Sequence, residues 1–266
     1  MAQELSFRDV RLTSDDIAVR RITPGDLWRS LEEGCSDFNA KPSFGVFLVL
    51  IYPLFALLLT LARIGNDGDL LYLAFPMLAG TTLLGPMISV GLFEMSRRRE
   101  RGLDVSWRSA FDFIHTSAFA SIAALSVVMM MLYVGWLYMA EFIYFGLFAD
   151  GLTTSLADFW TELTTTRRGG ALILYGNGVG LVFAVTALAI SVVAFPLLLD
   201  KPVTSITAVA VSIRAFAANI FVMALWGLIV VALLVAGAAV FLIGLAAVLP
   251  ILGHSTWHLY RKLVEA

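Results

Sequence analysis

Long apolar runs separated by short polar turns dominate the pattern of this chain, and their lengths predict membrane-crossing helices, each needing about 20 residues at about 1.5 Å per residue. Ser43 to Ala62 reads as a first span and Leu70 to Phe93 as a second, joined by the polar turn Arg63 to Asp69. Ser117 to Phe148 exceeds one span, so Trp136, Tyr138 and Tyr144 are expected near an aromatic interface. Ala171 to Leu199 is the fourth, entered through the glycine-rich stretch Gly176 to Gly180, whose glycines suit close helix packing. The run Phe216 to Leu252 carries no charged residue and would make one helix of about 55 Å against a hydrocarbon core of about 30 Å. It is therefore divided into a fifth and a sixth span near Ala236-Gly237-Ala238, where glycine supplies the backbone freedom of a turn, the alternative being a single strongly tilted or broken helix.

A second periodicity precedes the apolar runs. Leu27-Trp28-Arg29-Ser30-Leu31, Ser106-Trp107-Arg108-Ser109-Ala110-Phe111 and Ser212-Ile213-Arg214-Ala215-Phe216 read as three copies of one segment, each shortly before a span. Each predicts an amphipathic helix. In the first, Thr23 is the N-cap, Pro24 an early helical residue, and Leu27, Leu31, Cys35 and Phe38 the apolar spacing. In the second the apolar positions are Val105, Trp107, Ala110, Phe111 and Ile114, and in the third Ile206, Val209, Ala210 and Ile213. The expected fold is all-α: six transmembrane helices as three hairpins, each preceded by a cytoplasmic amphipathic helix. A polar tail, 1–21, precedes one membrane domain, 22–266, with pseudo-repeats over about 22–98, 99–200 and 201–262.

Composition agrees, with 59% hydrophobic and only 14% charged residues against about 25% charged in soluble domains. Charge sets the expected orientation, because Lys and Arg collect in cytoplasmic loops. Six spans with both termini inside place Arg97, Arg98, Arg99, Arg101, Arg108, Lys201, Arg214, Arg261 and Lys262 with the basic tail on one side, leaving Arg63, Arg167 and Arg168 outside. The net charge of −2 gives no reason to expect a nucleic-acid partner. The tail lacks the layout of a secretory signal, and the single Cys35 forms no intramolecular disulfide.

Three segments carry a family resemblance: Pro86 to Gly102, containing Glu94 and Arg97-Arg98-Arg99; Phe195-Pro196-Leu197-Leu198-Leu199-Asp200; and Gly253-His254-Ser255-Thr256-Trp257-His258-Leu259-Tyr260-Arg261. Together, from about Arg21 onward, they resemble the DUF2189 family of bacterial integral membrane proteins, and the last segment is the most specific. The resemblance implies a six-span protein of the bacterial inner membrane, from proteobacteria, and no particular activity.

The candidate chemistry is sparse. His254 and His258 lie four apart, so on a helix both imidazoles face one way, a geometry open to packing, interfacial anchoring, proton handling, or a metal or haem. His115 is the only other histidine, and no metal set or cofactor is expected. No nucleophile with its base and no carboxylate pair at a cleft is recognisable, so the expectation is a protein that is not an enzyme. Trp28, Arg29, Arg97, Arg98, Arg99, Trp107, Arg108, Arg214 and Trp257 are the expected lipid or packing contacts, with Asp200 reaching Arg108 or Arg214. The leading functional reading is an accessory or assembly factor working through membrane lipids, a membrane-protein complex or a homo-oligomer. A competing reading is a transporter or channel for a small solute or ion, lined by Glu94, Glu141, Asn177 and Asp200. A third is a haem- or metal-binding protein using His254 and His258.

Overall fold

Thr23 and Pro24 open the first helix, α1 (Pro24–Ala40), where proline serves at the start because its missing N–H would have no partner in a first turn anyway. The carboxylate of Asp26 accepts hydrogen bonds from the Thr23 backbone N–H and hydroxyl, both at 2.8 Å, closing that turn. In the computed structural model, residues 12–42, 71–148, 156–240 and 244–265 are described. The expected first span and the turn after it fall outside them, as does most of the polar tail.

The remaining helices are α2 (Leu71–Gly80), α3 (Gly85–Ile88), α4 (Val90–Glu100), α5 (Phe119–Leu147), α6 (Leu156–Thr165), α7 (Arg167–Ser191), α8 (Ala194–Asp200), α9 (Ser205–Ala218), α10 (Ile220–Ala239) and α11 (Leu245–Leu263), with 3-10 turns at Thr81–Leu84 and Ser109–His115. Among the described residues, four helical stretches are long and apolar enough to cross a membrane: Phe75–Glu100, Phe119–Leu147, Arg167–Asp200 and Ile220–Ala239. The outward faces of α5 and α10 are apolar, with Val127, Met131 and Phe142 on the first and Phe221, Leu228 and Val235 on the second. The chain is an integral membrane protein with several apolar helices.

The elements depart from the sequence pattern where a local polar group or proline intervenes. The expected second span is broken into α2, the 3-10 turn, α3 and α4, and the last continues to Glu100. Pro76 and Pro86 remove backbone donors, and the Thr81 and Thr82 hydroxyls each donate at 2.6 Å to carbonyls of Leu78 and Ala79. The second amphipathic segment forms a 3-10 turn instead of an α-helix. Ser106 and Ser109 exchange backbone-to-hydroxyl bonds at 2.9 and 3.2 Å, which favours a tight local turn over a regular helix.

The third segment is helical, but α9 buries Ala208, Val211, Ser212 and Ala215, while Ile206 is 84% exposed and Ile213 also faces outward. The long run from Phe216 is interrupted twice. Asn219 separates α9 from α10, and α10 ends at Ala239, one residue beyond the expected turn. Gly237 and Gly244 meet there so closely that a Cβ on Gly244 would stand 2.6 Å from the Gly237 carbonyl oxygen. Helix α6 has no counterpart in the sequence reading; its Phe159 joins the packing around Tyr72, Tyr144 and Phe148.

The main core joins these elements through Phe93, Met129, Trp136, Phe195, Leu198, Met223, Trp226 and Trp257. Helix α11 lies between α1 and α4. A Cβ on Gly34 of α1 would lie 2.1 Å from the Ser255 hydroxyl, and one on Gly253 would lie 2.4 Å from Leu92 Cδ1. Gly34 thus lets α11 approach α1 at backbone distance, and Gly253 makes room for the Leu92 side chain of α4. The segment ahead of α1 meets the end of α11 nearby, where Val19 and Val264 form an antiparallel bridge and Arg20 N–H donates to Leu263 O at 2.8 Å.

Candidate functional site

The buried face of α1 runs Leu27, Ser30, Gly34 and Asp37, so helical spacing carries a carboxylate into an apolar interface. Asp37 is only 7% exposed, and a buried carboxylate is stable only with partners. It has three. Its Oδ2 accepts from the Ser96 hydroxyl at 2.5 Å and from His258 Nε2 at 2.8 Å, and its Oδ1 pairs with Arg99. Burial works to raise the Asp37 pKa, but the hydrogen bonds from His258 and Ser96 outweigh it and hold the carboxyl below its ordinary value.

The network extends both ways from that carboxylate. His254 Nδ1 lies 2.8 Å from Ser96 Oγ. Since the serine proton goes to Asp37, His254 must donate from Nδ1, which leaves the Nε2 lone pair buried and without a hydrogen-bond partner. On the open side, His258 Nδ1 faces Glu33 Oε2 at 3.4 Å, and Lys262 Nζ binds the same oxygen at 2.5 Å. The two histidines therefore do share one face, directed at one carboxylate of α1. Serine, not histidine, occupies the middle of this chain, so the order of groups differs from a nucleophile relay, in which histidine bridges the hydroxyl and the acid. Among the described residues no three His, Cys, Asp or Glu side chains are placed to hold a metal ion.

The opposite flank of α11 holds a second network. Asp200 accepts from the Tyr260 hydroxyl at 2.8 Å and pairs with Arg101 at 3.1 Å and Arg261 at 3.3 Å. Glu100 accepts from Trp257 Nε1 at 3.2 Å and Arg261 Nε at 3.0 Å. The Gly253-to-Arg261 segment is thereby explained almost residue by residue: Gly253 and Ser255 permit the close crossings, and His254, Trp257, His258, Tyr260 and Arg261 tie α11 to α1, α4 and α8.

The other candidates are distributed around this centre. Asp200 engages Arg101 and Arg261 instead of Arg108 or Arg214, because the end of α8 is directed at α11. Arg214 instead donates to the carbonyls of Ser14, at 2.8 Å, and Ile17. Glu94, 2% exposed, pairs with Arg97 at 2.8 Å, and Arg97 also donates to the Leu199 carbonyl. Arg98 pairs with Asp112 at 2.9 Å. The basic run is thus largely directed into the protein. Trp257 is fully buried and Trp107 half-buried, while Trp28, Arg29 and Arg108 face outward. Glu141 is half-buried, accepting from the Tyr72 hydroxyl at 3.5 Å, and Asn177 is exposed with its amide donating to Ile173 O of its own helix at 2.8 Å. These pairings engage Glu94, Glu141, Asn177 and Asp200 with separate partners.

Asp37, Ser96, Glu33, Glu100 and Asn219 were not distinguished by sequence reasoning. A signal existed for Asp37, a carboxylate on the apolar stripe of an amphipathic helix. None existed for Ser96, an ordinary residue beside a conspicuous basic run.

No curated protein and no solved structure matches the chain. A family model does, over a shorter stretch than the sequence resemblance covers: it includes the segments at Pro86 and Phe195 but stops before the α11 segment. The family to which residues 74–200 match is described as "Predicted integral membrane protein (DUF2189)", in keeping with the apolar helices α5 and α7 that those residues form.

Proposed function

We propose that this is a non-enzymatic protein of the bacterial inner membrane that works through membrane lipids or a membrane-protein complex, as an accessory or assembly factor. In this reading it has six spans arranged as three hairpins, with both termini cytoplasmic. Helix α10 leaves from beside Arg20 and Ile22, and α11 returns to Val264 beside Val19, which supports a closed third hairpin.

One observation carries the functional reading: the ionisable groups around α11 are consumed in mutual pairs, whereas large apolar groups and cations near them face outward. Trp28 and Arg29 on α1, Arg108 and Phe111 beside the 3-10 turn, and Ile206 and Ile213 on α9 supply an amphipathic surface suited to the headgroup boundary or to a neighbouring membrane protein. The separate partners of Glu94, Glu141, Asn177 and Asp200 give a hydrated solute path less support.

Native mass spectrometry of the complex extracted in a mild detergent tests the reading. A stoichiometric lipid or a second protein is the expected result. A chain that always emerges without either would overturn it.

A further inference from the structure

We propose that the outward face of α7 is a self-association surface through which two copies of this chain pair in the membrane, with Asn177 of each copy at the crossing. The face repeats at four–three–four–three spacing: Gly170, Leu174, Asn177, Leu181 and Ala184, all exposed, with Leu174 at 69% and Leu181 at 62%. That spacing is the 3.5-residue period by which two helices wound gently about each other keep a continuous seam. The α10 face offers a useful contrast. Its exposed side chains, among them Phe221, Leu228, Val231 and Val235, are wholly apolar, as acyl chains require.

Asn177 does not fit a lipid-facing role. It stands ten residues into α7, about 15 Å along the helix axis, inside a stretch apolar enough to span the membrane. One amide N–H is satisfied by Ile173 O of the preceding turn. Among the described residues nothing accepts the second N–H or donates to Oδ1, and hydrocarbon offers neither. A second α7 does, because an amide both donates and accepts: across a twofold axis each Asn177 gives the other what it lacks, and the same residue meets itself. Gly170 and Gly178 flank it, and a Cβ at either would meet nothing within 4 Å, so this side of the helix is open to close approach. The self-complementary amide on a helical seam is what selects a second copy over lipid or an unrelated helix.

Single cysteines at Leu174, Leu181 and, as control, Val231 of α10 (58% exposed) in a full-length Cys35→Ser background test the surface by oxidative cross-linking in native membranes. Dimer from Leu174→Cys and Leu181→Cys, well above Val231→Cys, is expected. In the chain without introduced cysteines, Asn177→Leu should lower the dimer fraction about threefold to tenfold at limiting density, while Asn177→Gln retains it. Because Asn177 faces outward, both variants should keep the monomer's melting temperature. Cross-linking no stronger at α7 than at Val231, products with a different protein in place of a second copy, or an unchanged dimer fraction in Asn177→Leu would each overturn the proposal.

Discussion

Asp37 occupies a position that the spacing of α1 reserves for the apolar interface, and its three partners come from two other helices. Removing it leaves Arg99 and His258 facing each other across a buried gap. Asp37→Ala is therefore expected to cost about 3 kcal/mol, at the lower end for a broken buried pair because Arg99 is partly exposed. Asp37→Asn, which keeps the shape and one acceptor, should cost about 1–2 kcal/mol. Thermal melting in detergent gives both numbers, and equal losses would contradict the charge argument. The pH dependence has a definite sign. A carboxyl held below its usual value binds its proton more weakly when folded, so its contribution is complete above about pH 4 and fades as pH falls through the folded-state pKa. Asp37→Asn should remove that acid-labile part. The shared face of His254 and His258 was legible from their four-residue spacing; their carboxylate partner was not, because it lies 221 positions from His258 in sequence.

Among the elements, α11 is defined by contact more than by its own hydropathy. Its second half is polar, yet it lies between α1 and α4 because a glycine at each crossing leaves room for the neighbouring helix. The two crossings differ in what a methyl group would strike. At Gly34 a Cβ meets Ser255 N and Cα, at 2.7 and 2.9 Å, as well as the hydroxyl; at Gly253 it meets side-chain atoms of Leu92 and Ser89. Gly34→Ala must move a helix, with an expected loss of about 2–3 kcal/mol, whereas Leu92 can rotate and Gly253→Ala should lose about 1 kcal/mol. Melting of the two variants checks the order. Asn219, between α9 and α10, presents the same lesson in polar form. Its Oδ1 accepts from Ile22 N–H at 2.8 Å and its Nδ2 donates to Arg20 O at 3.0 Å, pinning the segment ahead of α1. Asn219→Ala should raise hydrogen exchange at Ile22 about tenfold, as expected for about 1–1.5 kcal/mol of local stability. Within an apolar run a lone asparagine is readable as an interruption. What it binds is fixed by tertiary contact, which no local pattern contains.

For the molecule as a whole, the pairing of the segment ahead of α1 with the end of α11 constrains topology more tightly than hydropathy does. Val19 bridges Val264, Arg20 N–H donates to Leu263 O, and Glu265 N–H donates to Ala18 O at 3.2 Å, so both segments lie on one side of any membrane the chain crosses. The number of crossings between residues 20 and 263 must then be even. The four apolar stretches among the described residues satisfy that condition, and so does the proposed count of six; five does not. Apolar length found the long helices α5, α7 and α10 because a span must be continuous to satisfy its backbone in hydrocarbon. It did not find α6, a short amphipathic helix held by aromatic packing at the opposite end of α5. Three single cysteines in the Cys35→Ser chain, at the exposed positions Ala18, Glu265 and Thr165, turn this geometry into a measurement. An impermeant maleimide should label Ala18→Cys and Glu265→Cys from the same side and Thr165→Cys from the other, because the Arg167–Asp200 stretch, α7 continued by α8, runs from beside Thr165 to the Asp200 end that binds Arg261 and Tyr260. In the proposed topology the shared side is the cytoplasmic one, in keeping with the positive-inside bias: the basic run Arg97 to Arg101 and the Arg261-Lys262 pair lie there beside Val19 and Val264. Labelling of Ala18→Cys and Glu265→Cys from opposite sides would require an odd number of crossings and would break the even count on which the hairpin arrangement depends.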